Sequence, residues 1–137
     1  MLVVDSLIRS EKDGSISFGN YTLAEKTKVS DFEHAGDSYK VKSFYEITKL
    51  EKNGLFVYES VPGSSVFDMS VSEGETSFKV TGKEDIQVTL ELESEQDYEV
   101  IIGAESLGVM KTNLGGKLTF NVEAGEDLLT PVRIIRK

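Results

Sequence analysis

Two carboxylates facing each other across a cleft can hydrolyse a glycosidic bond, and this chain has candidates in Glu46, Glu59, Asp68 and Glu99. Glu59 stands out, because it follows the apolar run Leu55–Tyr58 and directly precedes Ser60 and the corner Val61-Pro62-Gly63. Partial burial there would raise its pKa. The competing reading, which the sequence favours, is a strand-end acid accepting backbone hydrogen bonds in the Pro-Gly turn. His34 is the only histidine and there is no cysteine. A zinc site would therefore need His34 with carboxylates alone. A Ser-His-Asp triad would lack the GxSxG elbow. An exposed histidine at a strand end is the simpler expectation, and no catalytic, metal or cofactor site is assigned.

Flat rings stack on sugar faces, and the chain carries five tyrosines, Tyr21, Tyr39, Tyr45, Tyr58 and Tyr98, but no tryptophan. Most aromatic side chains belong in a core or in cross-strand pairs. Adjacent residues on a strand point to opposite faces, so one of Phe44 and Tyr45 should be exposed. Phe44, Tyr45, Tyr58 and Glu59 are therefore candidate ligand-binding residues. Arg9 and Arg133 join them, because both fall on terminal strands that could pair into an anion-binding cluster. Edge charges that discourage aggregation are the plainer account of these arginines.

The net charge is −9. Glu59 to Glu99 contains eleven carboxylates and two lysines, an excess equal to that net charge. Such a distribution argues against nucleic acid and against an anionic membrane surface as partners. It predicts a self-repelling, solvated surface, with a calcium site built from some of these acids as the alternative. The N-terminal MLVVDSLIRS has too short an apolar run for a signal peptide, and no segment approaches a membrane span. A cytoplasmic location is the default expectation.

The elements that must position these residues follow a period of two. In Ile86–Glu93, Ile86, Val88, Leu90 and Leu92 alternate with polar residues, as a half-buried strand requires. Tyr98, Val100 and Ile102 alternate in the same way, as do Leu118, Phe120 and Val122. From about Ser64 to the C-terminus the pattern predicts seven strands. Upstream, strands are expected in LVVDSLIR, whose apolar residues fall on both faces, and in SISFGNYTL, KVSDFEH, YKVKSFYEITKL and LFVYESV. A helical turn could form around TLAEKT. The fold class predicted is all-β: an antiparallel β-sandwich, immunoglobulin-like or jelly-roll-like. Val61–Ser65 is the candidate boundary between two small β subdomains, 1–62 and 63–137, with a single β domain as the alternative. Pro62-Gly63 suits the centre of a type II turn. KTNLGGKLTFNV reads as a hairpin corner in which Gly115 and Gly116 supply positive φ. It opens into a strand, whereas a phosphate loop opens into a helix. Leu114 at its tip is expected to pack under the turn.

GDSYKV, EITKLEKNG and VYESVPG together resemble a family of small bacterial proteins labelled "endosialidase". YEVIIGAESLGVMKTNLGGKLTFNV is similar to accessory β-sandwich segments of polysaccharide-processing enzymes. The resemblance carries no catalytic residues over. Sialidases resemble β-propellers far larger than this chain, with three sialate-binding arginines and repeated Ser-x-Asp-x-Gly-x-Thr-Trp turns. Arg9, Arg133 and Arg136 are present here, but the turn and any tryptophan are not. Sialidase catalysis by this chain alone is therefore not expected. The resemblance implies an accessory part of a sugar-handling assembly. The expected function is a non-catalytic binding module for a carbohydrate or a protein partner. A self-assembling homo-oligomer and a carboxylate-dependent hydrolase are the alternatives.

Overall fold

Alternating apolar residues and glycine-marked turns fold into thirteen antiparallel strands in the computed structural model, which describes residues 2–137. In chain order they are β1 (Ile8–Ser10), β2 (Ile16–Phe18), β3 (Thr27–His34), β4 (Asp37–Ser43), β5 (Thr48–Lys52), β6 (Leu55–Val61), β7 (Ser65–Ser72), β8 (Glu75–Thr81), β9 (Ile86–Glu91), β10 (Asp97–Ile102), β11 (Glu105–Lys111), β12 (Lys117–Val122) and β13 (Thr130–Arg136). A seven-stranded sheet in the order β1-β2-β7-β8-β13-β10-β11 packs on a six-stranded sheet in the order β12-β9-β6-β5-β4-β3. This is a β-sandwich, and the seven strands expected after Ser64 are β7 to β13.

Side chains from both sheets fill one core, including Phe18, Val41, Leu50, Tyr58, Val66, Val80, Val88, Val100 and Ile134. Each fully buried aliphatic or phenyl side chain contributes about 1.5–3 kcal/mol. Phe18 and Phe78 meet the Tyr58 ring edge-on at 5.3 and 5.7 Å, so Tyr58 is the aromatic centre of the core. Residues on both sides of Pro62 contribute strands to each sheet and side chains to this core.

Five local expectations are corrected. LVVDSLIR is a strand only at Ile8–Ser10. Before it the chain bends, with Leu7 at φ 72° and its amide donating to the Val4 carbonyl at 2.9 Å, so Val4 and Leu7 are both buried without a two-faced strand. YKVKSFYEITKL breaks at Phe44–Ile47 into β4 and β5, and TLAEKT forms no helical turn. Pro62-Gly63 is not a type II turn: the Val61–Pro62 bond is cis, and Gly63 does not have the positive φ that such a turn needs. KTNLGG is not a hairpin either. Its flanking strands pair with different partners, β11 with β10 and β12 with β9, so the turn arches from the edge of one sheet to the edge of the other.

The arch explains its glycines by close approach. Gly116 has φ 77°, and a Cβ there would lie 2.2 Å from the Leu92 carbonyl oxygen. Gly115 does not share the positive φ. Leu114 does not pack under the turn, being 80% exposed. Among the described residues, none forms a helix long and apolar enough to cross a membrane.

Candidate functional site

The connections β2–β3, β4–β5, β6–β7, β8–β9 and β12–β13 gather at one end of the sandwich and enclose a cleft of about 740 Å³. That size lies within the range of ligand sites. Tyr21, Tyr45, Val61 and Pro62 supply its apolar surface, and Glu46, Glu84 and Glu126 outnumber Lys83 among its charges. The TNLGG arch lies at the opposite end, where the Leu92 amide donates to the Gly116 carbonyl at 2.8 Å, so the arch takes no part in the cleft.

Tyr45 is 54% exposed and T-packed on the half-buried Phe44, with centroids 5.5 Å apart. Its backbone is held on both sides. The Tyr45 amide donates to the Leu23 carbonyl at 2.9 Å, and the Tyr45 carbonyl accepts from the Gly63 amide at 3.0 Å. Gly63 lies so close that a Cβ would sit 2.1 Å from the Phe44 carbonyl oxygen. The neighbouring Glu46 carboxylate, as hydrogen-bond acceptor and as charge, raises the Tyr45 phenol pKa above its ordinary value. Tyr21 is also raised, by burial first and then by the Glu126 and Asp127 charges.

Beneath the cleft runs a buried hydroxyl chain. The Tyr58 hydroxyl bonds Ser64 Oγ at 2.8 Å, and Ser60 Oγ bonds the same atom at 2.6 Å. Thr48 Oγ1 donates to the Ser64 carbonyl at 2.8 Å and accepts from the Ser64 amide at 3.0 Å. Ser43 Oγ joins Thr48 Oγ1 at 2.7 Å and accepts from the Asn20 amide at 2.8 Å. The corner that presents Val61 and Pro62 is therefore fixed from below by the linked hydroxyls of Tyr58, Ser60, Ser64, Thr48 and Ser43, while the adjacent buried Ser65 Oγ has no partner among the described residues.

The candidate residues are not brought together. Tyr45, with Phe44 behind it, belongs to the cleft. Tyr58 is fully buried, and its pKa is pushed up to about 12 by desolvation, so its role is to hold the corner. Glu59 lies on β6 directly between Lys49 on β5 and Thr89 on β9, on the face of the six-stranded sheet away from the core. Arg9 and Arg133 do not form a cluster, because β2, β7 and β8 separate their strands. Arg9, on the edge strand, pairs with Glu11 at 2.9 Å and lies 5.7 Å from the Phe67 ring centroid. Arg133, on an interior strand, pairs with Glu75 at 3.2 Å. Arg136 pairs with Glu93 at 2.8 Å.

The carboxylates are equally dispersed. Asp68 bonds Lys79 across β7 and β8 at 3.3 Å. Glu99, on β10, accepts from Ser106 Oγ at 2.7 Å and pairs with Lys137, and these contacts lower its pKa. Only Glu46 of the four candidate acids lines the cleft. His34 is half-buried at the end of β3, not exposed. Its Nε2–H donates to the Gly14 carbonyl at 3.0 Å, and Nδ1 bonds Ser10 Oγ at 2.7 Å. Among the described residues, no group of three or more His, Cys, Asp or Glu side chains is placed to hold a metal ion.

Sequence reasoning missed Lys83, Glu84 and Glu126 as cleft residues. Nothing in their local patterns marks them, since each is an ordinary loop charge until the connections converge. The Pro-Gly corner was the usable signal. Fold and site together define the class, a two-sheet antiparallel β-sandwich with an aromatic, acid-rimmed cleft at one end. No protein-family model, curated protein or solved structure matches the chain.

Proposed function

We propose that this protein is a non-catalytic binding module whose end cleft takes a carbohydrate. The observation that carries the reading is Tyr45. Its ring is exposed at the cleft, its backbone is bonded on both sides, and the carboxylates of Glu46, Glu84 and Glu126 line the same cleft. A presented ring stacks on a sugar face, while Glu46, Glu84 and Glu126 accept hydrogen bonds from hydroxyls. Because acids dominate the rim, neutral or amine-bearing sugars suit the cleft better than acidic ones. A glycan array probed with the native chain and with Tyr45→Ala tests it. Binding that disappears in the variant at unchanged melting temperature is the expected result. Absence of binding to every neutral and amino glycan overturns it.

A second reading, self-assembly, is favoured by β12. This strand pairs with β9 in unbroken register from Lys117 to Val122 and is the last strand of its sheet, leaving a regular edge. The solution mass of the native chain tests it, and a monomer of 15.1 kDa at high concentration would rule it out.

A further inference from the structure

The outer face of the six-stranded sheet carries a row of lysines that composition conceals. Lys28 on β3 is directly opposite Lys42 on β4, and Lys42 is directly opposite Lys49 on β5. Lys40 lies beside them, and the four line one shallow groove of about 120 Å³ together with Glu51. Among the described residues, Lys49 pairs with Glu51 at 3.6 Å, whereas Lys28, Lys40 and Lys42 enter no ion pair. Like charges directly opposite each other destabilise a sheet. The chain has a net charge of −9 and no shortage of acids to interleave. On a solvated face, threonine or glutamate at position 42 would meet no packing objection. The row therefore works against the fold locally, and an anionic ligand would relieve it.

We propose that this face binds an acidic polysaccharide, a polymer whose carboxylates are spaced by hydroxyl-bearing sugar units. Three features favour that occupant over nucleic acid. The same cross-sheet row continues from Lys49 to Glu59, Thr89 and Thr119, so cations give way to hydrogen-bonding groups. The two threonine hydroxyls meet at 3.0 Å. Glu51 and Glu59 beside the lysines would repel a closely spaced phosphate chain, which carries a charge every ~3.4 Å per strand. Phe56, the ring beside this row, is half-buried and lies 4.5 Å from Lys117 Nζ and 5.8 Å from Lys49 Nζ, so it offers no free platform for base stacking. Strands ~4.8 Å apart set the lysines as a ladder across which a linear polyanion can lie.

The face is separate from the cleft, and the proposal does not depend on the cleft reading. The test is affinity electrophoresis and calorimetry of the native chain with polygalacturonate, neutral dextran and a DNA oligonucleotide of equal charge. Polygalacturonate should bind at low salt, release as salt rises and exceed both competitors. Lys28→Gln/Lys42→Gln should weaken it about tenfold without lowering the melting temperature. The charge-matched pair Lys12→Gln/Lys111→Gln, away from this face, should have little effect, and Tyr45→Ala none. The proposal is overturned if polygalacturonate does not bind at low salt. Equal weakening by the two lysine pairs, or tighter binding of DNA, would overturn it as well.

Discussion

The Gly63 amide donates to the Tyr45 carbonyl at 3.0 Å, which ties the corner leaving β6 to the turn between β4 and β5. Through this bond the only strongly exposed tyrosine among the described residues is presented by two connections from one sheet, each anchored below by buried hydroxyls.

Gly63→Ala should therefore damage both stability and binding. The new Cβ would overlap the Phe44 carbonyl, at 2.1 Å, and the backbone must move to relieve it. A loss of about 2–3 kcal/mol is expected, in line with overpacking elsewhere. Urea denaturation checks it, and an unchanged midpoint would show that the corner is softer than its contacts imply.

Tyr58 predicts an alkaline limit. Its folded pKa of about 12 lies above the ordinary 10.0, so the native state keeps the proton that the unfolded state releases. The stability involved is fully present below pH 10 and is lost as pH rises from there towards 12. Tyr58→Phe should lower stability by about 1–2 kcal/mol at neutral pH through the lost bond to Ser64. Its decline between pH 10 and 12 should be shallower than that of the native chain. Chemical denaturation across that window measures both effects.

At the far end of the molecule, two neighbours should behave oppositely. Gly116→Val places a branched side chain at φ 77° and against the Leu92 carbonyl, so a loss of about 3 kcal/mol or more is expected. Leu114→Ser removes only an exposed side chain and should leave the melting temperature within a degree or so. Binding in the cleft should survive Leu114→Ser, because the arch is at the opposite end.

His34→Ala tests whether the two sheets are tied at their shared edge. The ring bonds Ser10 and Gly14 beside β1 and β2 from the end of β3. Losing both bonds should lower stability by about 1–2 kcal/mol. Faster hydrogen exchange in Ile8–Phe18 should accompany the loss, and unaltered exchange there would mean the tie is dispensable.

Alternation and turn glycines determined the strands, because which face of a strand is buried is written every second residue. Ile86, Val88 and Leu90, and Leu118, Phe120 and Val122, point inward as their pattern requires. The same local logic failed at LVVDSLIR and at Phe44–Ile47, where the chain bends to meet residues distant in sequence. It also took the β11–β12 arch for a hairpin, since a glycine turn looks the same whether its strands pair with each other or with strands already in place. Only the tertiary structure decided that Tyr58 is core while Tyr45 is presented. It also separated Arg9 from Arg133 and aligned Lys28, Lys42 and Lys49 in one row. Those outcomes depend on strand order and register, which long-range pairing sets and no local pattern encodes.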